Sequence, residues 1–294
     1  MTEHTTLQTA ARLLPPRPDD GHKGTFGHVF LLAGSRRYPG AMRLACEGAG
    51  RSGAGLVTAG IPQTLIGVAA VTLLESMGLA LPDTATGALG RDAIEPAMTF
   101  AQDKDSVVMG PGLGADDETL DFVLACVPRI AAPLVLDADG INLVAKNVLC
   151  LIPRPTGSTI VTPHPGEMAR LTGLSTKEVQ SQRETVAASF AKTHRVIVVL
   201  KGFETIVAHP DGRMAINTTG NSGMGTGGTG DILAGLLGGL LAQGMEPWDA
   251  ARLGVWLHGC AGDIAAQEFT ARAMIARDII ASLPKAFATL EATL

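Results

Sequence analysis

The chain has 294 residues, 46% of them hydrophobic and 17% charged, enough to bury a large core in one big α/β domain or two modest ones and too apolar for disorder. A net charge of −5, with 23 basic residues in no block of like sign, argues against a nucleic-acid partner, so an anionic ligand has to be held locally. The four cysteines, Cys46, Cys126, Cys150 and Cys260, lack any C-x-x-C spacing, which argues against a disulfide framework or zinc site and fits a reducing cytoplasm.

Residues 1–18 carry Glu3, His4 and Gln8 and contain no apolar core of a signal peptide. From His28 onward, short β-rich runs alternate with longer helical ones. Residues 29–32, 56–61, 107–109, 134–137, 159–162 and 196–200 read as strands, and their unbroken apolar character marks strands covered on both faces. Residues 41–51, 118–127 and 177–193 have helical length and composition between them. This is the pattern of a doubly wound, mainly parallel sheet with helices on both faces. Residues 205–208 and 213–217 flank the turn cluster Pro210-Asp211-Gly212, predicting a hairpin and hence an antiparallel edge. The remainder reads as helices over 229–243, 247–267 and 274–283. The longest apolar run, 232–242, contains three glycines and falls short of the about 20 residues that span a bilayer, so no membrane partner is expected.

In open α/β sheets ligands bind beyond the carboxyl ends of strands. Those segments hold most of the residues of special chemistry. The run Asn221-Ser-Gly-Met-Gly-Thr-Gly-Gly-Thr-Gly-Asp231 leads into the apolar helix, whose first amides have no partner and carry partial positive charge. Glycine lets the backbone wrap an anion closely, so Gly227, Gly228, Thr229 and Gly230 are read as an anion hole. Asp231 at its end reads either as a helix cap or first-turn carboxylate, or as the acid/base that takes a proton from a hydroxyl while the amides hold a transferring phosphoryl group. The side-chain-free loop before it favours the second role. Gly225, Gly227 and Gly230, like Gly48, Gly50 and Gly53, match G-x-G-x-x-G only formally, without the preceding strand, and no P-loop sequence is present.

Lys201-Gly-Phe-Glu-Thr205 follows the strongest strand and reads as a nucleotide clamp, with Lys201 toward phosphate and Thr205 toward the nucleoside. Thr162-Pro-His-Pro-Gly-Glu167 fixes His164 between two prolines and presents it beyond a strand end. Gly110-Pro-Gly-Leu-Gly114 permits close backbone approach, and Asp137-Ala-Asp-Gly-Ile-Asn142 offers carboxylates and an amide for hydroxyls or a metal shell; either could be a plain βα turn. His22, His28, His194, His209 and His258 have no metal-binding spacing.

These motifs, with Lys23-Gly-Thr-Phe-Gly-His28, Ala33-Gly-Ser35 and Tyr38-Pro-Gly-Ala41, resemble the ADP- or ATP-dependent NAD(P)H-hydrate dehydratases of the ribokinase-like superfamily, over roughly residues 23–283. The resemblance implies repair of hydrated NADH or NADPH (NADHX, NADPHX): phosphorylation of the 6-hydroxyl, then elimination of phosphate. It implies Asp231 as the catalytic base, with Ala41, Gly112, Gly114, His164 and Asp231 on the hydrate and Lys201, Gly202, Phe203, Glu204, Thr205 and Gly230 on the adenine nucleotide. Mg²⁺ is expected, through ligands the sequence does not name, and ADP is favoured over ATP. The resemblance further implies one catalytic domain over residues 1–294, with 1–22 an N-terminal extension and no epimerase domain, so that any NAD(P)HX epimerase is a separate protein. A homotetramer or larger assembly is implied too, and Trp248 and Trp256 in the helical last third allow helix-mediated association. Ser222 and Gly225 stand where the family pattern leads one to expect Pro and Ala. Two other readings compete: a ribokinase-like kinase of a thiazole or pyrimidine alcohol, and a non-catalytic nucleotide-sensing module.

Overall fold

The computed structural model describes residues 2–294. One ten-stranded sheet runs through it, built from β1 (Thr2–His4), β2 (His28–Leu32), β3 (Leu56–Pro62), β4 (Met77–Leu81), β5 (Ser106–Met109), β6 (Leu134–Leu136), β7 (Thr159–Val161), β8 (Ile197–Leu200), β9 (Thr205–Ala208) and β10 (Met214–Asn217). Their order is β1-β10-β9-β8-β7-β6-β5-β2-β3-β4. From β4 to β8 every pairing is parallel, and β9 runs antiparallel to both neighbours. Successive side chains of a strand point to opposite faces, so Val29 and Leu31 enter one core while Phe30 and Leu32 enter another. Both layers are dry, which is why these strands read as continuous apolar runs.

Three features differ from the sequence expectation. The hairpin is not the outer edge: Thr2–His4 adds a strand parallel to β10, and the buried Arg252 reaches Glu3 at 2.8 Å, so part of the expected extension belongs to the sheet. The opposite edge, β4, escapes pattern reading because it contains Gly78 and is mostly exposed. The helix expected over 177–193 is two, Thr176–Ser181 and Arg183–His194, broken at Gln182 with φ −140° and ψ 40°.

The last third is helical as expected, with longer elements. Helix Pro247–Ala273 is kinked at Thr270, and helix Ala276–Glu291 continues through Pro284 because Ala286 and Leu290 still pack into the core. Trp248 and Trp256 are buried, 6% and 5% exposed, so they serve the core and offer no surface for association, a correction to the role considered for them. Helix Thr229–Ala242 lies centrally, almost wholly buried. Its glycines permit this: a β-carbon at Gly235 would stand 1.9 Å from the Ala45 carbonyl oxygen, and one at Gly238 would stand 2.3 Å from Val108 Cγ2. Among the described residues, no helix is long and apolar enough to cross a membrane.

Candidate active site

Three adjacent strands deliver one polar residue each at their carboxyl ends. Asp137 follows β6, Thr162 follows β7 and Lys201 follows β8. Asp137 is 1% exposed, and its Oδ1 accepts from Thr162 Oγ1 and Lys201 Nζ, each at 2.7 Å. Lys201 Nζ also lies 3.8 Å from Glu167 Oε2. Burial opposes the charge on Lys201, but the Asp137 and Glu167 carboxylates outweigh it and raise its pKa.

The Thr162–Glu167 motif forms the start of helix Pro165–Thr172 through a reciprocal cap. His164 Nδ1 accepts from the Gly166 and Glu167 amides at 3.0 and 3.3 Å, and the His164 amide donates to Glu167 Oε2 at 2.7 Å. Since Nδ1 accepts, Nε2 carries the ring proton in the neutral form. Burial, then Lys201 and Arg170, lower the His164 pKa, so the imidazole is neutral and a donor. Burial pushes the Glu167 carboxyl up to about 7 despite the ammonium beside it.

The glycine run closes the site. After a short turn at Ser222–Met224 the chain enters helix Thr229–Ala242 through Gly228, whose φ of 94° is left-handed and whose β-carbon would meet Leu44 Cδ1 at 2.5 Å. Among the described residues, no acceptor takes up the amide N–H groups of Gly227, Gly228, Thr229 or Gly230. Asp231 is the third residue of this helix; it caps nothing, and it stands as a first-turn carboxylate at the positive end of the helix. Its carboxyl is displaced to about 7, first by burial and then by Asp137, with Lys201 opposing.

A cavity of about 610 Å³ joins these parts; His164, Lys201 to Thr205, Gly228 to Asp231 and Glu167 all stand on its wall. Phe203 is 88% exposed at the rim, and Arg183 holds the loop beneath by donating to the Leu200 and Glu204 carbonyls at 3.1 and 3.2 Å. Such a cavity can receive a phosphorylated nucleotide against free amides and present a base poised near neutrality.

Comparisons with known proteins give the family and the fold. Residues 29–285 match the family model described as NAD(P)H-hydrate dehydratase. The chain belongs to the NAD(P)H-hydrate dehydratase family. It is 44% identical over 278 residues to a bifunctional NAD(P)H-hydrate repair enzyme Nnr of Moorella thermoacetica, matching 95% of this chain and 52% of that one. The chain thus spans about half the length of the first curated relatives it matches. An ADP-dependent (S)-NAD(P)H-hydrate dehydratase of Bacillus subtilis is 34% identical, with 95% of each chain covered. A crystal structure of an ADP/ATP-dependent NAD(P)H-hydrate dehydratase from Bacillus subtilis, co-crystallized with ATP/Mg²⁺, superposes with a TM-score of 0.81 at 31% identity, covering 98% of each chain. The ribokinase-like fold class expected from the motifs is therefore the one observed.

Not every residue assigned a role in this dehydratase-family chain lies on the cavity wall. Ala41, Gly112, Gly114 and Gly227 are outside it. Gly112, at φ 64°, packs where a β-carbon would meet Ala41 Cβ at 2.7 Å, so these two form one close-packed group. Gly114 is tied back to the site, since its amide donates to Asp139 Oδ2 at 2.9 Å and Asp139 in turn raises the Asp231 pKa. Between Asp137 and Asp139, Ala138 holds a positive φ of 48°, unusual for a residue with a β-carbon. Sequence reasoning gave no role to Asn217, Thr219, His258 or Asp263, which support the glycine loop. Asn217 holds Thr219 two residues on, but the contacts of Thr219, Asp263 and His258 span separations such as the 29 residues between Thr229 and His258, and no local pattern signals those.

Proposed function

We propose that this chain restores NADH and NADPH from their hydrates, (S)-NADHX and (S)-NADPHX, using ADP, or less favourably ATP, as phosphoryl donor. The observation that carries the reading is Asp231: a buried carboxylate with a pKa near 7, in the first helical turn behind four unpartnered amides. In this reading Asp231 removes the proton of the hydrate's 6-hydroxyl as that oxygen bonds to the terminal phosphorus, and the bond to the nucleotide breaks, releasing AMP when ADP is the donor. The amides of Gly227, Gly228, Thr229 and Gly230 stabilise charge on the phosphoryl oxygens during transfer. The ring nitrogen lone pair then expels phosphate from C6, and loss of a proton from C5 forms the C5–C6 double bond of the dihydropyridine. Phosphate leaves where hydroxide would not.

The His164 Nε2–H donates to the hydrate, which extends past the cavity wall to rest against Ala41, Gly112 and Gly114, while Lys201, Gly202, Phe203, Glu204, Thr205 and Gly230 receive the adenine nucleotide. Among the described residues, no three metal-ligating side chains come close enough to cage an ion. Mg²⁺ prefers oxygen ligands, and Asp137 is the residue whose carboxylate would hold it here. A β-carbon on Gly230 would lie 3.6 Å from Asp137 Oδ2, the oxygen not committed to Lys201, so that oxygen faces the anion hole. When bound, Mg²⁺ supplies charge neutralisation on the phosphoryl oxygens. A cytoplasmic homotetramer or larger, working beside a separate NAD(P)HX epimerase, and a single catalytic domain over the described chain complete the reading.

Incubation with hydrated NADH and either ADP or ATP, followed at the nicotinamide absorbance band, tests it. Recovery of the band supports the reading, with the faster nucleotide identifying the donor. No recovery with either overturns it.

A further inference from the structure

The glycine loop is held from behind by one face of helix Pro247–Ala273. Thr219 Oγ1 donates to the Trp256 carbonyl at 3.1 Å, and the Gly220 amide and Asn221 Nδ2 donate to the two oxygens of Asp263 at 2.9 and 3.0 Å. Gly259 lets the helix approach this closely, since a β-carbon there would stand 2.2 Å from Thr219 Oγ1. His258, 8% exposed, completes the contact: its Nε2 lies 2.9 Å from the carbonyl oxygen of Thr229. A carbonyl only accepts, so Nε2 carries a proton. Burial lowers the ring pKa to about 4, so the imidazole is neutral with its proton on Nε2.

The Thr229 carbonyl and the Gly230 N–H belong to one peptide unit. A hydrogen bond donated to the oxygen draws electron density from the nitrogen and strengthens the N–H as a donor, by about 10–30% per bond. The Gly230 N–H has no acceptor among the described residues, and Gly230 stands on the cavity wall. We propose that His258 is a positioning residue for phosphoryl transfer, which fixes the Thr229–Gly230 peptide so that its N–H faces the anion hole and polarises that N–H toward the phosphoryl oxygens. The proposal rests on the anion-hole reading of Gly227 to Gly230. His258 acts through the peptide and not by contact with either substrate.

The test compares His258→Leu, which keeps the bulk and loses the donor, with His258→Gln, whose amide nitrogen reaches as far along the side chain as Nε2 and restores it. His258→Leu is expected to lower kcat about tenfold or more with KM for both substrates nearly unchanged, and His258→Gln to stay within about threefold of the native kcat. Where His258→Leu does not fold, His258→Asn, too short to reach Thr229, takes its place. The Gly230 amide proton resonance gives a readout independent of turnover, moving upfield in the non-donor variant and staying in place in His258→Gln. Full kcat in the non-donor variant, equal losses in both variants, or an unmoved Gly230 resonance overturns the proposal. Failure of the parent reading is separate: the native chain would not restore the nicotinamide band with either nucleotide.

Discussion

Asp231→Asn is the most direct perturbation of the proposed mechanism. A carboxylate base with a pKa of about 7 is half ionised at neutral pH, so kcat/KM should rise about tenfold per pH unit below pH 6 and level off above pH 8. Asparagine cannot take the proton, and kcat should fall about 10²- to 10⁴-fold with the acid limb abolished. Glu167, displaced to a similar value, is the control: Glu167→Gln should keep the limb. Stability moves the other way. Because the folded-state pKa is raised above 3.8, the folded state binds the proton more tightly than the unfolded chain. The stability that this carboxyl contributes is therefore fully present below pH 4, is lost as pH rises to about 7, and changes no further above. The displacement sets an upper bound of about 4 kcal/mol on that decline. Asp231→Asn, freed of it, should be the more stable protein at pH 8, gaining no more than that amount. Urea unfolding at pH 5 and pH 8 and pH-dependent turnover measure both effects. A variant with more than about a tenth of native kcat, or a flat native profile between pH 5 and 8, would refute the assignment.

Lys201→Met strands the buried Asp137 carboxylate with only Thr162, so unfolding free energy should fall by about 3 kcal/mol and nucleotide KM should rise; unchanged urea stability would count against the ion pair. Gly228→Ala meets a left-handed φ and Leu44, costing about 1–2 kcal/mol and at least about tenfold in kcat, whereas Gly227→Ala, with open space around it, should spare the thermal midpoint and impair only turnover. Arg154 is buried without a carboxylate partner among the described residues, donating to Thr159 Oγ1 at 2.7 Å, the Ala132 carbonyl at 2.8 Å and the Ile130 carbonyl. Burial lowers its pKa to about 10, so it stays charged at neutral pH. Arg154→Met should cost about 2–4 kcal/mol in chemical unfolding with turnover per folded molecule unchanged.

What the sequence determined by itself was local. Unbroken apolar runs placed six of the ten strands, because burial on both faces leaves a continuous hydrophobic signature, and the Pro210-Asp211-Gly212 turn placed the two of the hairpin. The glycine run before an apolar helix announced a free helix start, since unpaired amides and missing β-carbons are properties of adjacent residues. The two outer strands were invisible because they are mostly exposed and leave no buried apolar signature, and β1 in addition pairs with a strand at the far end of the chain. Only the tertiary structure decided the electrostatics. Asp137, Glu167, Lys201 and Asp231 come from separate elements, and burial together with the Asp137 and Glu167 carboxylates, opposed by Lys201, raises Asp231 to about 7. The same holds for His258, which lacks any sequence context for a role and gains one because Gly259 lets its helix rest against the loop. Pattern finds what neighbours along the chain dictate, whereas a pKa or a polarised amide depends on what packs against it from elsewhere.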